Sequence, residues 1–466
     1  MRRNPALLDV PRLALRACWL GILLLPSLLL LLPAMLLPTG RREAWLDRFG
    51  DALVRALERG GPCLTKLGQW ASTRPDLLPP SLCSSLASLH HRVRAHSLDH
   101  TKRAIAASFG VPAEQLFEEL SDAPVGSGCI AQVHEARARD GATRLAVKVL
   151  HPGVEQLVAD DLYLMRAGTS AAHALLGTCV SGLRWLALKE ALDEFARFMG
   201  RQLDLTHEAH NLERFAENFR DEAHITFPRP IRSMPGTEAA SEPLDLVSRE
   251  VLVETFIDGQ TLSAMLLDDE AARKRDGGGA AAERKARNTE LARLGLRAFL
   301  TMLLKHNFVH ADLHPGNILV SSSSGGGGAS HQLGLVDAGL VVELEERDRR
   351  NFMHLFKAIA KGDGGLAGEL MLTRSKEQRC ADPEAFTRGM REVVASARAG
   401  ERGAFNLSNV RIGDVLLEVT NLVRTHQVQV DASFTTLVCA IVVLEGLGRQ
   451  LDPSLDLFSV TLSIGF

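Results

Sequence analysis

The sequence has few of the features that mark small metal-binding, disulfide-rich or nucleic-acid-binding proteins. It contains no CxxC pair, and its seven cysteines are widely spaced, which argues against a structural zinc site and against a secreted disulfide framework. The formal net charge is only −3, so the composition indicates no basic surface for nucleic acid. With 46% of its 466 residues apolar, the chain also differs from disordered proteins. The composition is therefore that of a globular protein, and its cysteines are expected to be reduced thiols.

The apolar residues are concentrated in one segment near the N-terminus. Residues 17–38 carry no charge, and 17 of these 22 residues are apolar, which is enough for a helix that crosses a bilayer. We therefore predict one transmembrane helix over 17–38, with a monotopic or re-entrant anchor and a cleaved signal sequence as alternatives. Four arginines precede the segment and four follow it, so the positive-inside rule sets no orientation. Residues 1–16 are Arg-rich with one acid, Asp9, which favours an organelle-targeting start.

The rest of the chain predicts a mixed fold of helices and strands without internal repeats. Helical periodicity is found in three stretches, residues 41–110, 155–220 and 345–450. Strands are predicted in three others, residues 130–136, 145–150 and 248–257. Residues 271–288 are charged and rich in Gly and Ala, which predicts a solvated insertion, and residues 321–330 (SSSSGGGGAS) predict a flexible linker.

The most informative segment is NFVHADLHPGNILV, residues 307–320, which predicts a loop between a helix and a strand. His310, Asp312 and Asn317 reproduce H-x-D-x-x-x-x-N, the spacing of a kinase catalytic loop. In that chemistry Asp312 accepts or orients the proton of an attacking hydroxyl, and Asn317 binds a Mg²⁺ that bridges phosphates. Asp337, in Val-Asp-Ala-Gly after the next strand, would be a second metal ligand, because Mg²⁺ prefers carboxylate and amide oxygens.

Residues further upstream could complete a nucleotide site. Lys148, in Ala-Val-Lys-Val, has the position of the strand lysine that contacts the α- and β-phosphates, and Glu208 is the candidate for its helix partner. The turn Gly126-Ser127-Gly128 would cover the phosphates with backbone N–H groups. The segment from Glu254 through Phe256 resembles a hinge whose backbone meets adenine. A glycine turn or a strand lysine alone also fits a plain hairpin, and the specificity lies in the order of the whole set.

The pair His310 and His314 also invites a zinc interpretation. The two residues lie on a loop that contains Pro315-Gly316, so no helix aligns their rings, and the sequence has no H-E-x-x-H. We therefore expect His310 to orient the loop through hydrogen bonds.

Taken together, these segments resemble the UbiB family of atypical kinases, also called aarF-domain kinase-like proteins. Lys66-Leu67-Gly68-Gln69 matches the K-x-G-Q motif of that family, and residues 60–62 and 70–76 extend the match. The resemblance covers the chain from about residue 50 to 450. Within the family, the Gly-Ser-Gly-Cys turn and the segment GQWASTR are most similar to the subfamily of the second human aarF-domain kinase.

The resemblance implies an α+β, two-lobed protein-kinase-like fold with an N-terminal helical extension, preceded by the transmembrane helix. In that family the extension folds over the active site, which would bring Lys66 and Gln69 near the nucleotide. The expected boundaries are a targeting flank, the membrane helix, the extension, an N-lobe with a helical insertion, and a C-lobe with flexible insertions, at residues 1–16, 17–38, 41–120, 121–260 and 261–466.

The same resemblance implies a function. Members bind ATP and Mg²⁺, can hydrolyse ATP, and act in coenzyme Q biosynthesis or distribution. The implied partners are an adenine nucleotide, a membrane lipid or quinone intermediate and a lipid-biosynthesis complex, with no nucleic acid. The implied location is the mitochondrial inner membrane, with a single pass.

Two departures from the family pattern keep a second hypothesis open. Gln202-Leu203-Asp204 stands where the family has E-x-D, which removes one carboxylate, and Gly126-Ser127-Gly128-Cys129 replaces an Ala-rich segment. The alternative is therefore a nucleotide-binding pseudokinase scaffold for a lipid-handling membrane complex. A protein Ser/Thr kinase is less favoured, because no A-P-E segment follows Asp337.

Overall fold

A computed structural model describes residues 10–36, 39–74, 78–89, 95–176, 188–234, 243–275, 281–325, 328–374, 380–398, 412–428 and 432–453. The helices are α1 Val10–Leu36, α2 Thr39–Gly60, α3 Pro62–Ser72, α4 Pro80–Ala87, α5 Leu98–Phe109, α6 Ala113–Leu116, α7 Val154–Leu176, α8 Leu188–Gln202, α9 Leu205–Asn218, α10 Leu262–Arg275, α11 Ala281–Leu300, α12 Glu346–Lys361, α13 Gly364–Arg374, α14 Pro383–Arg398, α15 Ile412–Thr425 and α16 Ala432–Leu451. The strands are β1 Phe117–Leu120, β2 Gly126–Ser127, β3 Ala131–Ala138, β4 Arg144–Leu150, β5 Ile225–Thr226, β6 Val251–Thr255, β7 Gln260–Thr261, β8 Val309–His310, β9 Ile318–Gly325, β10 Gly328–Leu335 and β11 Val341–Val342.

The chain divides into two compact units. The first unit comprises Met1–His207 and Ile231–Val253, and the second comprises Glu208–Pro230 and Glu254–Phe466.

A sheet with the order β1-β3-β4-β6 lies at the centre of the first unit, and the short strand β2 pairs with β3. The predicted strand pair at 130–136 and 145–150 is confirmed as the antiparallel pair β3–β4. Successive side chains on a strand point to opposite faces, so Val147 and Val149 are buried in the core while Lys148 between them is half-buried on the other face. Ile105 of α5 and Leu116 of α6 belong to the same core.

The helical segments before the sheet form a core of their own. It contains residues from α1, α2, α3, α4 and the turn after α4: Leu20, Leu57, Leu64, Leu86 and Leu89. The sequence predicted helices over residues 41–110, and α2 through α5 confirm them within the residues described.

Helix α1 begins at Val10, seven residues before the predicted membrane segment at 17–38. The two arginines near its start pair with α7: Arg12 with Asp160 at 2.9 Å, and Arg16 with Asp161 at 2.7 Å. In the described part of the chain, α1 is the helix long and apolar enough to cross a membrane, over Val10–Leu30. A row of its large apolar side chains is exposed, namely Leu15, Trp19, Ile22, Leu25 and Leu29.

A four-stranded sheet with the order β5-β10-β9-β7 forms part of the second unit. It corrects the prediction of a flexible linker at 321–330, because β9 and β10 continue through that segment as an antiparallel pair, with Ser324 opposite Ala329 and Gly325 opposite Gly328. The low-complexity residues extend strands that Ile318 and Leu335 anchor in the core at the other end of the pair. Composition alone could not anticipate this backbone pairing.

The helical prediction from residue 345 onward is confirmed by α12 to α16 within the residues described. Helices α12 to α15 share a core that includes Leu355, Met371, Phe386, Met390 and Val419. Around the predicted insertion at 271–288, α10 ends at Arg275 and α11 begins at Ala281, and Asn288 is already buried against Asp269. That insertion therefore lies partly within regular helix.

Candidate active site

The loop that carries Asp312 is organised around the buried ring of His310. This histidine ends β8, which pairs with β11, and its side chain is 0% exposed. Its Nδ1 accepts a hydrogen bond from the backbone N–H of Asp312 at 3.2 Å, so the proton of the neutral ring is on Nε2, which donates to the carbonyl of Val336 at 3.2 Å. Burial lowers the pKa of His310, and the nearby charge of Asp312 opposes this shift. The expected orienting role of His310 is confirmed.

Asn317 closes the same loop. Its Nδ2 donates to the backbone carbonyl of Asp312 at 3.0 Å, and its own backbone carbonyl accepts from the N–H of Val336 at 3.0 Å. The side chain is buried while Asp312 is half-buried. Because Nδ2 is held by the loop, Oδ1 is the atom that the amide can offer to a cation. The bond to Val336 keeps this amide beside the segment that carries Asp337.

Asp337 follows β10 in a left-handed backbone conformation, with φ 61°. Non-glycine residues adopt this conformation uncommonly, and such positions cluster at functional sites when the surrounding structure holds them. The flanking residues are held here by three contacts: Val336 by His310 and Asn317, and Ala338 by the Nδ2 of Asn211, which donates to its carbonyl at 2.9 Å. The carboxylate of Asp337 is thus presented from a constrained turn.

Helix α9 carries Glu208 and Asn211 one turn apart and packs against Phe308, just before the loop that carries Asp312. Arg214 of this helix donates two hydrogen bonds to Glu343, both at 2.7 Å, and its guanidinium lies 4.0 Å from the ring centre of Phe308. The hydrogen bond from Arg214 lowers the pKa of Glu343.

The next residue of α9, Phe215, is fully buried against aromatic rings of the second unit. Its ring centre lies 4.7 Å from that of Phe227, 4.6 Å from that of Phe308 and 5.9 Å from that of His310. These contacts make α9 and the loop from His310 to Asn317 one packed arrangement.

Two further predicted residues lie in the second unit at the end of β6. Glu254 is buried and Phe256 is half-buried, and the backbone N–H of Thr255 between them bonds to the carbonyl of Arg229. Glu208 itself is 4% exposed in the first turn of α9. The second unit thus holds Glu208, Glu254, Phe256, Asp312, Asn317 and Asp337.

The first unit holds the remaining predicted residues. Lys148 lies on β4 opposite Val133, and the turn Gly126–Gly128 pairs with the start of β3 through Gly126 opposite Val133 and Ser127 opposite Gln132. The turn is therefore one strand away from Lys148 within a continuous sheet. The position that a Cβ would take at Gly126 has no heavy atom within 4 Å. This backbone is accessible to a ligand.

The K-x-G-Q segment lies on α3 in the same unit. Burial raises the pKa of Cys129, which follows the glycine turn, and the charge of Lys66 opposes that shift. Gln69 donates to the backbone carbonyl of Leu89 at 3.4 Å. A Cβ at Gly68 would overlap the side chains of Leu89 and Leu57, so this glycine is required for helix packing.

Sequence reasoning missed two sets of residues. The first is Asn211, which is not among the predicted site residues, although its spacing of three from Glu208 places both on one face of a helix. A network of histidines was also missed, in which His134 is buried and His96 and His151 are half-buried. Its only sequence signal is the density of histidines between His96 and His151, with His134 on the core side of a strand.

Two models of known protein families match parts of the chain. Residues 88–370 match the ABC1 atypical kinase-like domain, and residues 403–456 match the UbiB helical domain. A mitochondrial ABC1 family protein of Saccharomyces cerevisiae is 33% identical over 472 residues, covering 88% of this chain and 67% of that protein.

Two other relatives carry kinase names. The probable serine/threonine-protein kinase abkC of Dictyostelium discoideum is 31% identical over 518 residues, covering 98% of this chain and 69% of that protein. A probable protein kinase UbiB of Tolumonas auensis is 29% identical over 412 residues, covering 88% and 68%. This chain spans about two thirds of the length of each relative. The chain, with its mixed helix and strand fold and a kinase-type catalytic loop, belongs to the ABC1/UbiB family of atypical kinases.

Proposed function

We propose that this protein is a membrane-anchored atypical kinase or ATPase that binds Mg-ATP. The observation that carries the proposal is the geometry of the loop from His310 to Asn317. The neutral ring of His310 joins the backbone at Asp312 to that at Val336, and Asn317 closes the loop from the other side. In phosphoryl transfer the protein contributes mainly positioning of the reacting groups and charge stabilisation. The hydrogen bonds of this loop fix the backbone on both sides of Asp312, which suits it to positioning that carboxylate. Asp312 would accept or orient the proton of the attacking hydroxyl or water.

Asn317 and Asp337 would hold the Mg²⁺. An amide oxygen and a carboxylate are donors that Mg²⁺ accepts, and Mg²⁺ normally completes its shell with water and phosphate oxygens. The fit is supported by the hydrogen bond that commits Nδ2 of Asn317 to the loop and so leaves Oδ1 for a cation. When bound, the ion would neutralise charge on the transferred phosphoryl group.

The remaining predicted residues would bind the nucleotide. Lys148 would contact the α- and β-phosphates with Glu208 as its partner, and the turn Gly126-Ser127-Gly128 would offer backbone N–H groups. Lys66 and Gln69 would tune the same site from α3, and Glu254 to Phe256 would contact the adenine. The accessibility of the backbone at Gly126 supports the use of this turn.

The acceptor would be a lipid or another small molecule, in support of coenzyme Q biosynthesis or distribution at the mitochondrial inner membrane. Two observations support this location: the exposed apolar row on α1, and the mitochondrial description of the yeast relative. The partners would be a membrane lipid or quinone intermediate and a lipid-biosynthesis complex. Protease protection of tags placed before and after α1 distinguishes a single-pass helix from one that lies in one leaflet.

Turnover of Mg-ATP by the full-length protein in lipid nanodiscs tests the enzymatic proposal. Asp312→Asn and Asp337→Asn should each lower turnover by about 10²-fold or more, as expected for loss of an acid–base group or a metal ligand. Glu217→Ala is a matched control, because this exposed carboxylate of α9 pairs only with the exposed Arg220 among the contacts described. Equal turnover in the wild type and in both Asp variants would contradict the proposal.

A nucleotide-binding scaffold is the second candidate, favoured by Gln202 at the place of the family glutamate. Gln202 ends α8 and is half-buried, so the carboxylate that the family has there is replaced by an uncharged amide. Complementation separates the two functions. If Asp312→Asn restores quinone levels fully in cells that lack the protein, the scaffold is favoured, and if it fails while the protein is still made and membrane-bound, phosphoryl transfer is favoured.

A further inference from the structure

A network of hydrogen bonds in the first unit holds the segment that carries the glycine turn, with His134, Thr101 and Gln132 buried and His96 and His151 half-buried. Histidine side chains hold two backbone carbonyls, one before the turn and one within it: Nδ1 of His134 lies 2.8 Å from the oxygen of Ser121, and Nε2 of His151 lies 2.9 Å from the oxygen of Gly128. A carbonyl can only accept, so both histidine nitrogens carry protons. The segment from Ser121 to Gly128 is therefore held at both ends.

The two histidines are connected to each other through His96 and Thr101. Nδ1 of His96 lies 2.8 Å from Nδ1 of His151, and Nε2 of His96 lies 3.0 Å from the hydroxyl of Thr101. The same hydroxyl lies 3.2 Å from Nε2 of His134. Gln132 completes the network, because its Nε2 lies 2.8 Å from Nε2 of His134 and its Oε1 accepts from the backbone N–H of His96 at 2.9 Å.

The bonds to fixed donors and acceptors determine every proton in the network. His151 donates from Nε2, so as a neutral ring it accepts at Nδ1, and His96 must then donate from Nδ1. His96 in turn accepts at Nε2 from the hydroxyl of Thr101. His134 donates from Nδ1 and accepts at Nε2 from the amide of Gln132. One arrangement of three neutral rings therefore satisfies these bonds, and because the single hydroxyl proton of Thr101 goes to Nε2 of His96, the 3.2 Å approach of that hydroxyl to Nε2 of His134 is not a hydrogen bond.

The charges around the rings agree with neutral histidines. Burial, together with the neighbouring rings of His151, His100 and His134, lowers the pKa of His96 to about 4. Burial also lowers the pKa values of His134 and His151.

We propose that His151 is a positioning residue for the nucleotide site: through Nε2–H it holds the carbonyl of Gly128, and the network through His96 and Thr101 fixes its tautomer and orientation. His151 lies three residues after Lys148, and its backbone N–H also bonds to the carbonyl of Ile130 at 2.8 Å. The histidine thus sets the distance between the strand that carries Lys148 and the turn that would cover the phosphates. The inference rests on the proposed nucleotide binding and names a residue that the binding requires without touching the ligand.

Two substitutions of His151 in the full-length protein in nanodiscs test the role. His151→Ala removes the donor, and His151→Gln keeps an N–H that can reach the same carbonyl. Thr101→Val removes the hydroxyl that fixes the tautomer of His96. His354→Ala, an exposed histidine of α12, is the control.

We call the hydrogen bond from His151 to the carbonyl of Gly128 the clamp. Hydrogen–deuterium exchange of the peptide that covers residues 122–130, measured without nucleotide, tests whether the clamp holds this segment. In His151→Ala we expect exchange there to be about tenfold faster, the effect of one lost hydrogen bond, with the peptides of the second unit unchanged. His151→Gln should recover most of the protection. Exchange equal to wild type in His151→Ala, or an increase spread over the whole chain, would overturn the clamp.

Measurements of Mg-ATP binding and turnover show how loss of the clamp affects the nucleotide site. The Kd and KM for Mg-ATP should rise about tenfold in His151→Ala and several-fold in Thr101→Val, while kcat stays within about twofold. An unchanged KM together with faster local exchange would show that the clamp does not serve the nucleotide, and would overturn the positioning role. A wild-type protein that binds no Mg-ATP would instead overturn the proposed function, with the exchange result still deciding the clamp.

Discussion

The side chain of Asn211 donates a 2.9 Å hydrogen bond from Nδ2 to the backbone carbonyl of Ala338, the residue after Asp337. It joins the helix that carries Glu208 to the turn that presents the proposed metal ligand, although the two residues are 127 positions apart in the chain. Both lie in the second unit, so this relationship is internal to one compact body.

Loss of this hydrogen bond should weaken catalysis more than nucleotide binding. In Asn211→Ala the turn at Asp337 loses one of the contacts that hold its left-handed conformation, and we expect kcat for Mg-ATP to fall about tenfold, equivalent to ~1.4 kcal/mol. Steady-state kinetics measure the effect, with Glu217→Ala on the same helix as the control. A kcat within twofold of the control would contradict the role of Asn211.

Substitution by alanine should change the stability of the protein at one glycine of the proposed site and leave it nearly unchanged at another. Gly68→Ala places a methyl group against Leu89 and Leu57, so we expect a loss of about 1–3 kcal/mol in the free energy of unfolding. Gly126→Ala meets no heavy atom within 4 Å, so stability should change by less than about 0.5 kcal/mol. Chemical denaturation measures both. If Gly126→Ala also weakens Mg-ATP binding, the glycine is needed for approach of the phosphates.

The histidine network predicts a pH dependence of stability. The pKa of His96 is lowered from 6.5 to about 4 in the folded protein, so between these values the unfolded chain binds a proton that the folded chain excludes. The free energy of unfolding should therefore fall as the pH decreases from 6.5 toward 4, and His134 and His151 shift in the same direction. Melting curves at several pH values measure this slope. The slope should be smaller in His96→Gln, and an equal slope in both proteins would refute the assignment.

Loss of the ion pair between Arg16 and Asp161 should destabilise the folded protein more than loss of the neighbouring pair between Arg12 and Asp160. Asp161 is 0% exposed, so Arg16→Ala leaves a buried carboxylate without its cation, and we expect a cost of about 3 kcal/mol. Arg12 is 42% exposed, so Arg12→Ala should cost about 1 kcal/mol or less. Denaturation of the single variants and of Arg16→Met with Asp161→Leu checks this. The double variant should recover most of the stability, since two apolar groups can replace the pair.

The chemistry-bearing segments could be predicted because their information is local. Asp312 and Asn317 are five residues apart on one loop, and such a short motif of distinctive residue types can be recognised in the sequence without knowing the fold. The strand of Lys148 was predictable for the same reason, since its alternation with Val147 and Val149 is a pattern of neighbours. The flexible linker at 321–330 was predicted wrongly, because its composition favours disorder while pairing between β9 and β10 is a property of two segments together.

Local sequence patterns were enough to identify the family, the order of the kinase-like motifs and an apolar helix near the start. The packing of distant segments was needed to place Asn211 against the turn at Asp337, to make Gly68 a packing residue, and to bring His134 and His151 to the two ends of the segment from Ser121 to Gly128. The physical reason is the range of the interactions. Motifs and periodicities record contacts between neighbours in the chain, whereas a hydrogen bond or a close helix contact depends on where distant segments meet once the core is packed.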